Sequence, residues 1–91
     1  MDILNELYNV VLDRKAHPTE GSYTNYLLDK GTEKIAKKVG EEAVETAIAA
    51  AKSNKDEVIA EIADLYYHVL VLMADMDITP AEVEKELRSR R

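Results

Sequence analysis

The sequence predicts an all-α protein, a helical hairpin assembling into a four-helix-type bundle that is completed by dimerisation. Three observations carry that expectation. Apolar residues recur at helical spacing along most of the chain, and no period-two alternation is long enough for a sheet. Helix start and stop signals divide the chain into compact segments. The 91 residues, without cysteine, lie near the size where a single core is marginal and no disulfide is available to staple it. A second copy is then a natural source of further burial.

The elements follow in order. Residues 2 to about 15 place Ile3, Leu4, Leu7, Val10 and Val11 at helical spacing, ending before "HPTEG", where Pro18 and Gly21 mark a loop. Ser22 offers an N-cap for a short helix, "YTNYLLDK", closed by Gly31. Thr32 is expected to cap the next helix, which runs to about Lys52 with Gly40 inside it. "SNKDE" breaks that helix, and Asn54 with Glu57 three positions later suggests a capping box for one that continues to about Met76. In "DITPAEVEKELRSRR", Thr79 is the expected N-cap, Pro80 the first helical residue and Glu82 the third after the cap. The basic end, Arg88 to Arg91, suits the negative pole of that helix. One domain, residues 1–91, is expected, centred on the long hairpin.

Charge narrows the function classes. A net charge of −6 argues against a nucleic-acid binder, whose affinity depends on a basic surface. A nucleotide ligand stays open when a divalent cation stands between the two anions. The start, "MDILNELYNV", carries acids where an export signal would carry bases. No uncharged apolar run approaches the roughly 18 residues that cross a bilayer. No membrane association is expected, and a cytoplasmic address is.

The informative feature is a gathering of like charges. "KKVGEEAVETAIAAAK", residues 37–52, holds Glu41, Glu42 and Glu45 with no positive charge after them until Lys52. Glu61 and Asp64 follow in "AEIADLYYHVL". With the hairpin turn between Ser53 and Asn54, the pairs Glu42/Glu45 and Glu61/Asp64 each stand roughly 14 Å from it, so antiparallel packing brings them level. The i, i+3 spacing puts both acids of a pair on one face.

At 100° per residue, Glu57, Glu61, Asp64 and His68 form one stripe on a helix otherwise rich in Ile59, Ile62, Leu65, Val69, Leu70, Leu72 and Met73. Such a helix is expected to be buried on several sides, and no lysine or arginine lies between Lys55 and Lys85 to neutralise its acids. On the preceding helix, Lys34, Lys38, Glu41, Glu42 and Glu45 are expected opposite an apolar stripe of Ile35, Val39, Ala43, Ala47 and Ala50. Taken alone that is an ordinary solvated face with Lys38–Glu42 and Lys37–Glu41 ion pairs. Facing an enclosed acidic stripe, it becomes half of a cation site. Oxygen ligands without cysteine select a hard ion, Mg²⁺ or Mn²⁺ rather than zinc.

The pattern E-E-x-x-E followed by E-x-x-D, as Glu41, Glu42, Glu45, Glu61 and Asp64, resembles the signature of the all-α, MazG-like nucleoside triphosphate pyrophosphohydrolases. "GSYTNYLLDKGTEKIAKKVGEEAVETAIAA" and "EIADLYYHVLVLM" look most like the phosphoribosyl-ATP pyrophosphohydrolases, the second step of histidine biosynthesis, over nearly the whole chain. No counterpart of the cyclohydrolase that some relatives carry on the same chain is read here. The resemblance implies a Mg²⁺ site of Glu42, Glu45, Glu61 and Asp64, with Glu41 beside them or orienting water. It also implies a small nucleotide substrate, N1-(5-phosphoribosyl)-ATP, split between its α and β phosphates, and a homodimer.

For substrate contacts, Lys34 and Lys38 are placed to reach the triphosphate, and Arg14 or Lys15 the ribose phosphate. Tyr23 and Tyr26 are candidates to stack on a base, and His68, one turn beyond Asp64, to hydrogen-bond a carboxylate or border the pocket. His17 carries no signal. The competing readings are a pyrophosphohydrolase of the same fold acting on ordinary or damaged nucleotides, and a non-catalytic dimerisation module with a structural cation.

Overall fold

The computed structural model describes residues 2–91, which form five helices in the expected order. They are α1 (Asp2–Ala16), α2 (Tyr23–Lys30), α3 (Thr32–Ala51), α4 (Lys55–Asp75) and α5 (Pro80–Ser89). No strand occurs among the described residues, so the chain is all-α, and α3 with α4 makes the central hairpin.

Most of the helix ends are made by the residues that signal them. Ser22 caps α2 by accepting the Asn25 N–H, and Thr79 with Glu82 forms a complete capping box on α5, led by Pro80. Two expectations change in detail. Thr32 is the first residue of α3 rather than its cap. Gly31, at φ 93°, closes α2 and opens α3 at once, a left-handed backbone that favours glycine. That frees the Thr32 hydroxyl to donate to the Asp75 carboxylate at the far end of α4, tying the base of the hairpin. At the hairpin turn, Asn54 accepts the Glu57 N–H at 3.1 Å, but the return bond of a capping box is not made. The Asn54 N–H is already given to the Ala49 carbonyl, 3.3 Å away, where it closes α3.

The core lies at one end of the hairpin. Tyr8 and Val11 of α1, Leu27 of α2, Ile35 of α3, and Leu70, Val71, Met73 and Ala74 of α4 bury one another. Polar bonds hold the same end. The Tyr8 hydroxyl donates to the Ile78 carbonyl at 2.7 Å. Lys15 donates to the Ala74 carbonyl at 2.9 Å and to Asp77 at 3.2 Å, which places a cation where α4 ends and its carbonyls lack partners.

Two expectations about helix faces are corrected. Helix α4 is buried mainly over its second half, where Tyr66 still stands exposed, and nearer the turn Ile59 is exposed as well. Along α3 the buried line is Ile35, Glu42 and Ala49, about a quarter turn from the expected stripe, and Ala43, Ala47 and Ala50 face outward. Alanine buries too little area to orient a helix. The large Ile35 and its packing on α4 decide the rotation, and they carry Glu42 inward.

Leu27 is fully buried at the meeting of α1, α2 and α4. Leu27→Ala should cost about 2–5 kcal/mol, measured by urea unfolding, without altering helix content in native buffer.

Candidate functional site

The corrected rotation of α3 builds the site. Glu42 enters the interface with α4 opposite Glu61, and Glu45 stands beside both, one turn further along α3. One carboxylate oxygen from each of Glu42, Glu45 and Glu61 lies within 4.8 Å of the other two. Glu42 is 6% exposed. Glu42 Oε2 and Glu61 Oε2 are enclosed with no hydrogen-bond partner. Carboxylate oxygens enclosed without donors are unfavourable unless a counter-charge meets them, which makes the trio a candidate cation site.

The electrostatics agree. Burial first, then the shared contact with Glu45 and the charges of Glu45 and Asp64, hold the Glu42 carboxyl above the usual range. Glu61 is raised first by its contact with Glu45, then by burial and by the charges of Glu45, Glu42 and Asp64. Two carboxylates have no proton to give each other, so close approach favours keeping one. No ammonium or guanidinium comes within 4.0 Å of Glu45, Glu61 or Asp64 among the described residues. Lys38 is the one cation among the described residues within 4.0 Å of the trio, 3.2 Å from Glu41 and 3.7 Å from Glu42. Its bond keeps the Glu41 carboxyl below the usual range, while at Glu42 burial outweighs it.

The remaining acids sit around this trio. Asp64 is exposed, and its carboxylate lies outside the group within 4.8 Å, though its charge acts on Glu42 and Glu61. Glu41 is exposed and paired with Lys38. Beyond them, His68 is 4% exposed. Its Nδ1–H donates to the Asp64 carbonyl at 2.7 Å, and its Nε2 shares a hydrogen bond with the Tyr23 hydroxyl at 2.8 Å. His68 therefore bonds the backbone of an acidic residue rather than a carboxylate. Its ring meets those of Tyr23 and Tyr67 edge-on, and Tyr67 bonds the Thr24 hydroxyl. Helix α2 is thus fastened to α4 one turn above the acids.

Tyr23 stacks on Tyr26, with ring centroids 6.1 Å apart and planes 22° from parallel. Both rings are partly exposed and line an open depression of about 630 Å³ with the 18–22 loop and Asp29. The Tyr23 hydroxyl faces the other way, into the fields of Lys38, Glu42 and Asp64. Burial, opposed by Lys38, raises its pKa above the ordinary phenol value. Lys34 lines a separate basic depression with Lys30 and Lys37, close enough for Lys34 and Lys37 to lower the Glu41 carboxyl. Arg14 pairs with the adjacent Asp13 and makes no contact with the acids. Lys15, the alternative to Arg14, is committed to the end of α4. A side chain at Gly40 would meet nothing within 4 Å, so no neighbour among the described residues requires a glycine there.

Lys52 was not among the expected site residues. It lines a small depression with Glu45, Ile48, Ala49, Glu57 and Glu61. The available signal was its position two turns after Glu45 on the same face of α3.

Fold and site together define a class, small all-α proteins in which carboxylates from both arms of a helical hairpin converge. The chain belongs to the phosphoribosyl-ATP pyrophosphohydrolase family, whose profile matches residues 4–91. It is 50% identical over 91 residues to a phosphoribosyl-ATP pyrophosphatase of Clostridium novyi (strain NT), covering 100% of this chain and 83% of that protein. To the protein of the same name from Listeria monocytogenes serotype 4a (strain HCC23) it is 57% identical over 88 residues, 97% of this chain and 84% of the other. A histidine biosynthesis bifunctional protein HisIE of Caldanaerobacter subterraneus subsp. tengcongensis is 50% identical over 90 residues, 99% of this chain and 44% of that longer protein.

The raised carboxyls set a sign for pH dependence. A carboxyl raised on folding holds a proton that the unfolded chain has released, so its contribution to stability falls as pH climbs from about 4.3 through the raised value. In chelator, Glu42→Gln should melt above the parent protein near neutral pH and converge with it in acid. Parallel melting curves at every pH would contradict the assignment.

Proposed function

We propose that the chain hydrolyses N1-(5-phosphoribosyl)-ATP to phosphoribosyl-AMP and pyrophosphate with Mg²⁺, or Mn²⁺ in its place, in histidine biosynthesis. The observation that carries this reading is the trio Glu42, Glu45 and Glu61 with two enclosed, unpartnered oxygens, in a chain of this family. Oxygen donors alone fit a hard divalent ion, and the orphaned atoms are what such an ion would satisfy. Glu42, Glu45 and Glu61 would hold it, with Asp64 joining from the next turn. When bound, the ion supplies charge neutralisation at the phosphates and acidifies water.

The protein's own groups do the rest. Glu41, exposed at the rim, orients water. Lys38 and Lys34 take the phosphate chain, and the Tyr23–Tyr26 pair offers a flat surface for the purine. The His68–Tyr23 bond keeps that surface in register with the acids. Arg14 is assigned the ribose phosphate on the sequence alone.

The chain acts in this reading as a cytoplasmic homodimer. Val44, Ile48 and Ile59 are 59%, 51% and 58% exposed on the half of the hairpin beyond the core. Pairing two such hairpins would cover them and finish a four-helix bundle. No described helix is long and apolar enough to cross a membrane.

Pyrophosphate release should be measured with phosphoribosyl-ATP, ATP and dUTP, each with and without Mg²⁺. Turnover is expected with the first substrate and only when Mg²⁺ is present. Comparable rates with ATP or dUTP would favour a general nucleotide pyrophosphohydrolase. Glu45→Gln and Asp64→Asn should each lose on the order of 100-fold or more, since even residues that merely orient ligands cost 10–100-fold.

A further inference from the structure

We propose that Lys38 is a built-in counter-ion that occupies the rim of the acidic pocket in the cation-free protein and gives up Glu42 when a divalent cation enters. This deepens the cation-site reading above and rests on it. Lys38 is the only cationic group within 4.0 Å of the carboxylate trio among the described residues, and it reaches one member of the trio. Its side chain is 25% exposed, against 7% for Glu42. The ammonium therefore stands at the mouth while the carboxylate lies inside.

Its hold on Glu42 is loose. The 3.7 Å contact is longer than a good charge-assisted hydrogen bond, whereas the 3.2 Å bond to exposed Glu41 is made on the solvent side. Nor does Lys38 complete the pocket, because Glu42 Oε2 and Glu61 Oε2 stay unpartnered behind it. The ammonium can thus pivot on Glu41 as Glu42 turns to a stronger charge. Leaving Glu42, it faces the mouth through which an anionic phosphate chain approaches. Cation entry and phosphate recognition are coupled through one side chain, with no movement of the helices required.

The test is calorimetric titration of the intact protein with Mn²⁺ alone, without nucleotide. Removing a competing ammonium should tighten binding, so Lys38→Gln is expected to bind Mn²⁺ about three- to five-fold more tightly than the parent protein, the upper part of the range for a partly exposed ion pair. Lys38→Arg, which keeps the charge, should stay within about two-fold. At saturating Mn²⁺, Lys38→Gln should raise KM for phosphoribosyl-ATP more than it lowers kcat. Unchanged or weaker Mn²⁺ binding by Lys38→Gln, with normal binding by the parent, would overturn the exchange while leaving the cation site standing. Absence of Mn²⁺ binding by the parent would overturn the cation site itself.

Discussion

The structure turns on the enclosure of Glu42 between the arms of the hairpin. A glutamate on the buried line of α3, between Ile35 and Ala49, is an expensive choice for a small chain whose core is confined to one end. It faces Glu61 and is flanked by Glu45, and one loosely held ammonium is the only cationic group within 4.0 Å of it among the described residues. In the proposed reading, a small, doubly charged ion supplies the counter-charge that the described residues do not.

That constraint explains how the rest of the molecule is divided. The packed end, built from α1, α2, the start of α3 and the second half of α4, supplies rigidity. The Tyr8 and Lys15 bonds to the 74–78 segment lock the base of α4, and the Tyr23–His68 and Thr24–Tyr67 bonds lock α2 against it. The acids project just beyond this block, where α3 and α4 run on as a pair with apolar side chains still uncovered. One half of the hairpin supplies the packing, and the other holds the converging acids.

Much of this was readable in the residues. The helix limits followed from Ser22, Gly31, Asn54, Thr79 and Pro80, because capping is local chemistry that a few neighbouring atoms decide. The convergence of Glu42, Glu45 and Glu61 followed from their distance to the turn, which is arithmetic on a regular helix. The rotation of α3 did not follow. A stripe of alanines looks apolar in a periodicity count yet carries little burial energy, so the tertiary fit of Ile35 prevailed. The Asn54 box failed for a similar reason, since the N–H it needed was taken by a carbonyl of the previous helix. Lys15 could not be separated from Arg14 without knowing that α4 ends beside it. The Tyr23–His68 bond spans 45 positions, and no local pattern announces a pairing at that range.

The central claim is that one ion bridges the two arms of the hairpin. A crystal soaked in Mn²⁺ tests it most directly, through the anomalous scattering of the metal. The account requires a peak at bonding distance from oxygens of Glu42, Glu45 and Glu61 together. A peak confined to exposed acids such as Glu57 or Glu84, with the enclosed trio empty, would contradict it.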